Sequence, residues 1–190
     1  LFGLSEFAAR LPHLLCGALI AALVWRFAQR RADPREAWLA LGLLLGSTLF
    51  FLSAGAVMTD TALVLCTTLA MYAFWFAVHG RDPQEQRRMG WLFFAALGLG
   101  LLAKGPLAVV LSGLPIVIWA VATGRTRQVW QGLPWLRGSL LALAIAVPWY
   151  WMAELRTPRF LDYLIVGEKW QRWLTARWAA PAARSPPARS

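Results

Sequence analysis

The sequence predicts an all-helical integral membrane protein with about six transmembrane helices. Three observations carry this prediction. Hydrophobic residues make up 59% of the 190 residues, only 15% are charged, and the mean hydropathy is +0.53. Soluble domains usually carry about 25% charged residues. The strict alternation of barrel strands is absent, and only helices and closed barrels satisfy the backbone in lipid, so we assign the apolar runs to helices.

Six apolar segments follow one another along the chain, at about 11–27, 37–53, 61–78, 91–103, 107–123 and 138–153. One span needs about 20 residues. The run from Ala37 to His79 contains Asp60 as its only charged residue, and its length predicts two spans joined by a short turn. We expect Pro148 to kink the sixth segment.

The fourth and fifth segments surround the sequence Gly-Leu-Gly-Leu-Leu-Ala-Lys-Gly-Pro at 98–106, and Lys104 is the only charged residue of 91–123. One helix over that run would be about 50 Å long, against a hydrocarbon core of about 30 Å. Pro106 lacks an N–H group and disfavours a helical conformation at Gly105. We therefore predict a hairpin of two short helices with Lys104 at the turn.

Three loops carry most of the arginines and predict the orientation of the chain. Loop 28–36 with the preceding Arg26 holds four arginines, and loops 79–90 and 124–137 hold three each. The positive-inside rule places these loops in the cytoplasm. Asp60, Lys104 and everything after about Glu154 then face the extracytoplasmic side. The net charge of +10 reflects this topology, and we expect no nucleic-acid partner.

The candidate site residues are six of the charged residues predicted on the extracytoplasmic side: Glu6, Arg10, Asp60, Lys104, Glu168 and Arg172. Asp60 could cap the helix that follows, act as an auxiliary carboxylate in catalysis, or do both. Lys104 could extend from a helix end to the interface, or bind a phosphate as a compact charge.

Two pairs of these candidates have helical i to i+4 spacing: Glu6 with Arg10, and Glu168 with Arg172. Each pair could be a simple surface ion pair. Alternatively, each glutamate could hold its arginine in place to clamp a phosphate. The sequence leaves both interpretations open.

Nucleotide and metal motifs are absent from the sequence. There is no Gly-x-Gly-x-x-Gly after a strand, no P-loop and no metal-ligand spacing. A transferase working outside the cytoplasm would take a lipid-linked donor, since nucleotide sugars are cytosolic. We expect no resident cofactor beyond that donor, and the requirement for a divalent metal stays open.

Five short motifs occur in order, at 2–12, 58–62, 98–106, 148–150 and 160–173. Together they resemble the C-type membrane glycosyltransferases of the aminoarabinose (lipid A) transferase and protein mannosyltransferase group, over about residues 1–175. The resemblance implies part of a larger multi-span fold in the bacterial inner membrane. It also implies sugar transfer from undecaprenyl phosphate, or a similar polyprenyl phosphate, at the extracytoplasmic face.

The resemblance further implies that Lys104 and Arg172 engage the carrier phosphate, and that Asp60 is the family's acidic residue between the third and fourth helices. One candidate sugar is 4-amino-4-deoxy-L-arabinose. The acceptor could be lipid A, another glycolipid or a protein. A membrane transporter or flippase fragment is the alternative, because a Gly/Pro-broken hairpin with intramembrane charges suits it too.

Two departures from the family pattern qualify the resemblance. Lys169 stands where the family usually has histidine, and the family's principal catalytic aspartate would lie before Leu1. We therefore expect an incomplete enzyme, and the sequence leaves open whether this fragment is active. We expect an incomplete transmembrane domain at 1–177 and a disordered tail, rich in Ala, Pro and Arg, at 178–190.

Overall fold

The structure, a computed structural model, describes residues 6–48, 50 and 60–156, with side chains from residue 10 onward. All regular secondary structure in these ranges is helical. The helices are α1 (Glu6–Arg31), α2 (Pro34–Gly46), α3 (Asp60–His79), α4 (Pro83–Lys104), α5 (Leu107–Ala122), α6 (Thr126–Gly132) and α7 (Trp135–Arg156). The predicted all-helical class is confirmed.

The chain divides into two compact units, Leu1–Trp149 and Tyr150–Ser190. The first unit contains α1 to α6 and most of α7. Of the second unit, only the helical residues 150–156 are described. The predicted domain limits, 1–177 and 178–190, lie outside the described residues and stay predictions.

Among the described residues, three helical stretches are long and apolar enough to cross a membrane, namely Arg10–Arg31, Asp60–His79 and Trp135–Arg156. The apolar helix α5 is shorter, and the apolar part of α4 lies between Arg88 and Lys104. The multi-span membrane character is confirmed, while the count of six crossings stays a prediction.

The core of the first unit lies where α3 packs against α4. Small residues of α3 allow the close approach of the two helices, and aromatic side chains of α4 fill the space beside them. The cluster continues onto α5, α6 and the start of the final helix. Its main members are Ala70, Ala73, Phe74, Ala77, Phe93, Phe94, Ile116, Ala120 and Val129.

Large apolar side chains cover much of the outer face of α5. Leu114, Val117, Ile118 and Val121 are all more than half exposed. A contiguous apolar surface of this kind is rare on soluble monomers. It matches a helix that faces lipid hydrocarbon, and this agrees with the composition.

Helix ends differ from the sequence-based bounds at several places: α1 extends to Arg31, and the predicted loop 124–137 contains α6 and the start of α7. The predicted loop 79–90 is helical from Pro83, because the side chain of Asp82 accepts a hydrogen bond from the backbone N–H of Gln84 at 3.1 Å. Proline at the first helical position supports this start. Within the second predicted segment, 37–53, α2 ends at Gly46 and Ser47 adopts an extended conformation. Residues 48 and 50 are helical, and the end of that segment lies outside the described residues.

The three basic loops meet at one end of the first unit, which we call the basic end. Arg30 forms an ion pair with Glu85 at 2.7 Å. Arg125 donates to Nε2 of His79 at 3.1 Å, and Gln128 donates to the carbonyl oxygen of Val78 at 3.1 Å. The loops that the positive-inside rule grouped therefore lie together.

Candidate functional site

An ion pair joins the two charged residues that sit in the most apolar surroundings. The Nζ atom of Lys104 contacts Oδ1 of Asp60. Asp60 is the first residue of α3 and Lys104 the last residue of α4. The two helices are antiparallel and joined by the short turn 80–82, so the start of one lies beside the end of the other. Sequence reasoning placed both residues on one face, and the structure brings them into contact.

The helix dipoles favour each charge of this pair where it stands. Asp60 lies in the first turn of α3, where the dipole stabilises an anion, and Lys104 lies in the last turn of α4, where it stabilises a cation. The side chain of Asp60 is 50% exposed and that of Lys104 is 36% exposed. Exposed ion pairs contribute about 0–1 kcal/mol. Stabilising the fold is therefore a minor effect of this contact.

The backbone after Lys104 breaks as the Gly-Pro sequence predicted. Gly105 has φ 63° and ψ −147°, a backbone conformation that residues other than glycine rarely adopt. Its N–H donates to the carbonyl oxygen of Leu101 at 2.8 Å and closes the end of α4. Pro106, with φ −58°, then starts α5. The turn fixes the position from which the lysine side chain extends.

Close packing of α4 against α5 and α3, one turn before Lys104, supports this turn. Gly100 is buried, and a Cβ atom built on it would lie 2.7 Å from Cβ of Ala108 and 3.4 Å from Cβ of Cys66. The first distance is shorter than real Cβ contacts. Glycine at 100 therefore lets α4 touch the first turn of α5 and the side of α3, which holds the hairpin against the helix that carries Asp60.

The geometry leaves the ammonium able to bind a further anion. A lysine ammonium has three N–H donors, and its contact with Asp60 needs only one of them. Oδ1 of Asp60 is shielded from solvent. The exposed part of that side chain therefore consists of its other atoms. A phosphate that approaches the open side of Lys104 would meet a cation held at a fixed place.

The other predicted site residues are located in part. Glu6 and Arg10 lie one turn apart on α1, and Arg10 is exposed. The side chain of Glu6 lies outside the described residues, so its pairing with Arg10 stays a prediction. Glu168 and Arg172 also lie outside the described residues.

Within the described ranges, no group of three or more His, Cys, Asp or Glu side chains lies close enough to hold a metal ion. His79 instead makes structural contacts. Its ring stacks on Trp75 at a centroid distance of 4.1 Å, Nδ1 lies 3.3 Å from the carbonyl oxygen of Trp75, and Nε2 accepts from Arg125. These partners fit the neutral imidazole with its proton on Nδ1.

Sequence reasoning missed an arginine and aromatic cluster at the basic end. It used the arginines only as orientation signals. In the structure the guanidinium of Arg31 lies 4.4 Å from the ring centroid of Trp75, and that of Arg30 lies 5.0 Å from that of Phe76. The helical spacing of Trp75 and His79 was the available signal, because residues four apart share a face.

Comparison with known proteins gives one family and a consistent group of relatives. The sequence profile of the dolichyl-phosphate-mannose-protein mannosyltransferase family matches residues 1–152. An undecaprenyl phosphate-alpha-4-amino-4-deoxy-L-arabinose arabinosyl transferase of Proteus mirabilis is 34% identical, over 98% of this chain and 33% of its own length. A second transferase of that name, from Pseudomonas fluorescens, is 30% identical over 90% of this chain and 29% of its own.

Solved structures show the same relationship. The crystal structure of ArnT from Cupriavidus metallidurans bound to undecaprenyl phosphate superposes with a TM-score of 0.84 at 27% identity, and covers 90% of this chain and 31% of ArnT. The apo state of that protein superposes with a TM-score of 0.83. The chain spans about a third of the length of the curated relatives that it matches.

Proposed function

The chain belongs to the dolichyl-phosphate-mannose-protein mannosyltransferase family, and on that premise we propose that it is part of a glycosyltransferase whose donor is a polyprenyl-phosphate sugar. The resemblance predicted from the five motifs is confirmed, because the relatives in the comparison are aminoarabinose transferases. The membership also confirms the wider prediction of a C-type membrane fold.

The donor in this proposal is undecaprenyl phosphate or a similar polyprenyl phosphate carrying 4-amino-4-deoxy-L-arabinose. The names of the relatives support that sugar and that carrier, and ArnT was crystallised with undecaprenyl phosphate. The proposed acceptor is lipid A or another glycolipid. The proposed place of transfer is the extracytoplasmic face of the bacterial inner membrane, opposite the basic end.

The chemistry demands a cation at the carrier phosphate. An acceptor oxygen attacks the anomeric carbon, the bond from that carbon to the phosphate oxygen breaks, and polyprenyl phosphate leaves. The leaving group changes from a phosphodiester with one negative charge to a monoester approaching two. Groups that stabilise charge developing in the transition state accelerate the reaction most.

In our proposal Lys104 supplies that cation. The ion pair with Asp60 is the observation that carries this assignment, because it holds an ammonium at a helix end where it contributes little to stability. Asp60 keeps the ammonium in place before the donor binds, and it can serve as an auxiliary carboxylate. Arg172 would be a second phosphate ligand and Glu168 its support, as the resemblance implies. Glu6 and Arg10 would be further substrate-binding residues.

A transfer assay with the full-length gene product in proteoliposomes tests the proposal. We expect labelled aminoarabinose to move from polyprenyl phosphate to lipid A, with one polyprenyl phosphate released per sugar. A nucleotide-linked form of the same sugar should give no product. Transfer from the nucleotide sugar but not from the lipid-linked sugar would contradict the proposal.

The alternative of a transporter or flippase has less support. Transporters usually place their charged site near the middle of the membrane, often with broken helices around it. Asp60 and Lys104 instead lie at the ends of α3 and α4, and the matched family and relatives are transferases.

A further inference from the structure

We propose that the groove between α1 and α3 binds an anionic phospholipid, whose phosphate sits in a cationic cleft at the basic end. This site is separate from the Asp60–Lys104 pair. The two ends of α3 are about 29 Å apart, at 1.5 Å per residue. The proposal does not depend on the transferase function.

The cationic cleft is an open space of about 310 Å³ where the ends of α1 and α3 meet the start of α4. Three arginines and one carboxylate surround it, on a floor of aromatic rings. The residues that matter here are Arg30, Arg31, Arg81, Glu85, Trp75 and His79. The excess of positive charge suits a phosphate, which guanidinium groups bind with paired hydrogen bonds.

The guanidinium groups of the three arginines differ in their interaction partners. Arg30 is held by its ion pair with Glu85 at 2.7 Å. Arg31 rests on the ring of Trp75, and no described carboxylate pairs with Arg31 or Arg81. Contact with the indole ring limits the rotamers of Arg31, so less conformational entropy is lost when it binds an anion.

An apolar groove of about 460 Å³ lies beside this cleft, and the ring of Phe27 on the groove wall is 6.1 Å and 6.0 Å from the rings of Trp75 and Phe76 on the cleft wall. On α1 its wall contains Leu23, Val24 and Phe27, and one turn further on Arg30 and Arg31 line the cleft. On α3 its wall contains Met71 and Tyr72, and Trp75 and Phe76 follow one turn later in the cleft. Because residues three and four apart share a helix face, the groove and the cleft are neighbours on the same faces of α1 and α3.

The polar groups in the groove do not alter its apolar character. The hydroxyl of Thr67 lies 3.0 Å from the carbonyl oxygens of Leu63 and Val64 and bonds back to its own helix. Its hydroxyl proton is therefore not offered to the groove. An apolar groove beside a cluster of arginines matches the division of a phospholipid into acyl chain and phosphate.

The position along the membrane also favours a lipid. Basic pockets between transmembrane helices on the cytoplasmic side bind anionic head groups, and the basic end is the one that the positive-inside rule assigns to the cytoplasm. Trp75 and Trp119, whose rings lie 6.1 Å apart, are close to the ends of α3 and α5 at the basic end, and tryptophans are enriched at membrane interfaces.

The test measures lipid retained by the full-length protein after extraction into detergent, by native mass spectrometry. The protein is first reconstituted in vesicles of phosphatidylglycerol or of phosphatidylcholine. The variant Arg31→Gln/Arg81→Gln leaves the Arg30–Glu85 pair intact. The matched control Arg35→Gln/Arg127→Gln removes the same charge from two exposed positions outside the cleft.

We expect one phosphatidylglycerol to remain bound to the parent and to the control, and phosphatidylcholine to be lost. The cleft variant should bind phosphatidylglycerol at least about tenfold more weakly, since each arginine beside an anionic lipid contributes roughly fivefold. Equal retention by the cleft variant and the control would overturn the proposal. So would equal retention of the two lipids, or displacement by inorganic phosphate as effectively as by phosphatidylglycerol.

Discussion

The ammonium of Lys104 meets the carboxylate of Asp60 where the last turn of α4 lies beside the first turn of α3. The pair is one-third to one-half exposed, which limits its contribution to folding to about 1 kcal/mol. Both residues also have favourable positions in the dipoles of their own helices. The main effect of the contact is therefore to fix the position of the Lys104 ammonium, and its contribution to helix stability is small.

Replacing Lys104 with alanine should lower transfer far more than it lowers stability. If the ammonium neutralises the leaving phosphate, kcat/KM for the lipid-linked donor should fall roughly 10²–10³-fold, as for the loss of one transition-state donor. Lys104→Arg should retain part of the activity, because it keeps the charge. Steady-state transfer in proteoliposomes measures both variants.

The control for this measurement is Arg127→Ala, which removes an exposed cation from the short helix α6. Its kcat/KM should match that of the parent protein. Unchanged transfer and unchanged donor affinity in Lys104→Ala would remove the phosphate role from this residue.

A double-mutant cycle separates two roles of Asp60. If Asp60 acts only by holding Lys104, Asp60→Asn should reduce transfer in the parent protein and have little further effect on the Lys104→Ala variant. If it takes a proton by itself, the two reductions should multiply. We expect the first pattern, because Oδ1 faces the ammonium. Multiplying effects in the cycle would assign Asp60 an independent part in the reaction.

Local signals in the sequence were sufficient for the contact between Asp60 and Lys104 and for much of the fold. The apolar run 61–78 gave α3 within one residue at each end, since it is bounded by Asp60 and His79. The Gly-Pro pair located the hairpin, because it removes a donor and permits a positive φ. Antiparallel packing of neighbouring helices then made the contact between Asp60 and Lys104 foreseeable.

Other features depended on contacts between distant segments. The start of α4 was missed because hydropathy treats the polar residues 85–88 as a loop, although Asp82 followed by Pro83 is a signal for a helix start. The cationic cleft depends on which face of α1 meets α3. The apolar residues of these helices surround the axis, so periodicity does not specify that face.

Gly105→Ala should destabilise the hairpin. The conformation of Gly105, with φ 63° and ψ −147°, belongs to a region that is nearly exclusive to glycine, and forcing a residue into it costs about 1–3 kcal/mol. The melting temperature in detergent should fall. Transfer should fall as well, since the turn positions Lys104.

The matched control is Gly113→Ala on α5, where an added Cβ meets nothing within 4 Å. Alanine is the better helix former by about 1 kcal/mol, so this variant should melt at the parent temperature or above it. A melting temperature of Gly105→Ala as high as that of Gly113→Ala would contradict the assigned turn conformation.

Gly100→Ala should push the first turn of α5 away from α4, and a second substitution should reverse the effect. The new Cβ would lie 2.7 Å from Cβ of Ala108, and overpacking of this kind costs about 1–3 kcal/mol. Ala108 is 1% exposed, so it has no free space into which to move. Removing its methyl group in Gly100→Ala/Ala108→Gly leaves one Cβ at the contact instead of two.

We therefore expect Gly100→Ala alone to lower the melting temperature. The double variant should recover most of that loss, except for the part that comes from the lower helix propensity of glycine at position 108. Additive losses in the double variant would show that the two residues are not in contact, and the packing that holds Lys104 beside Asp60 would then need another explanation.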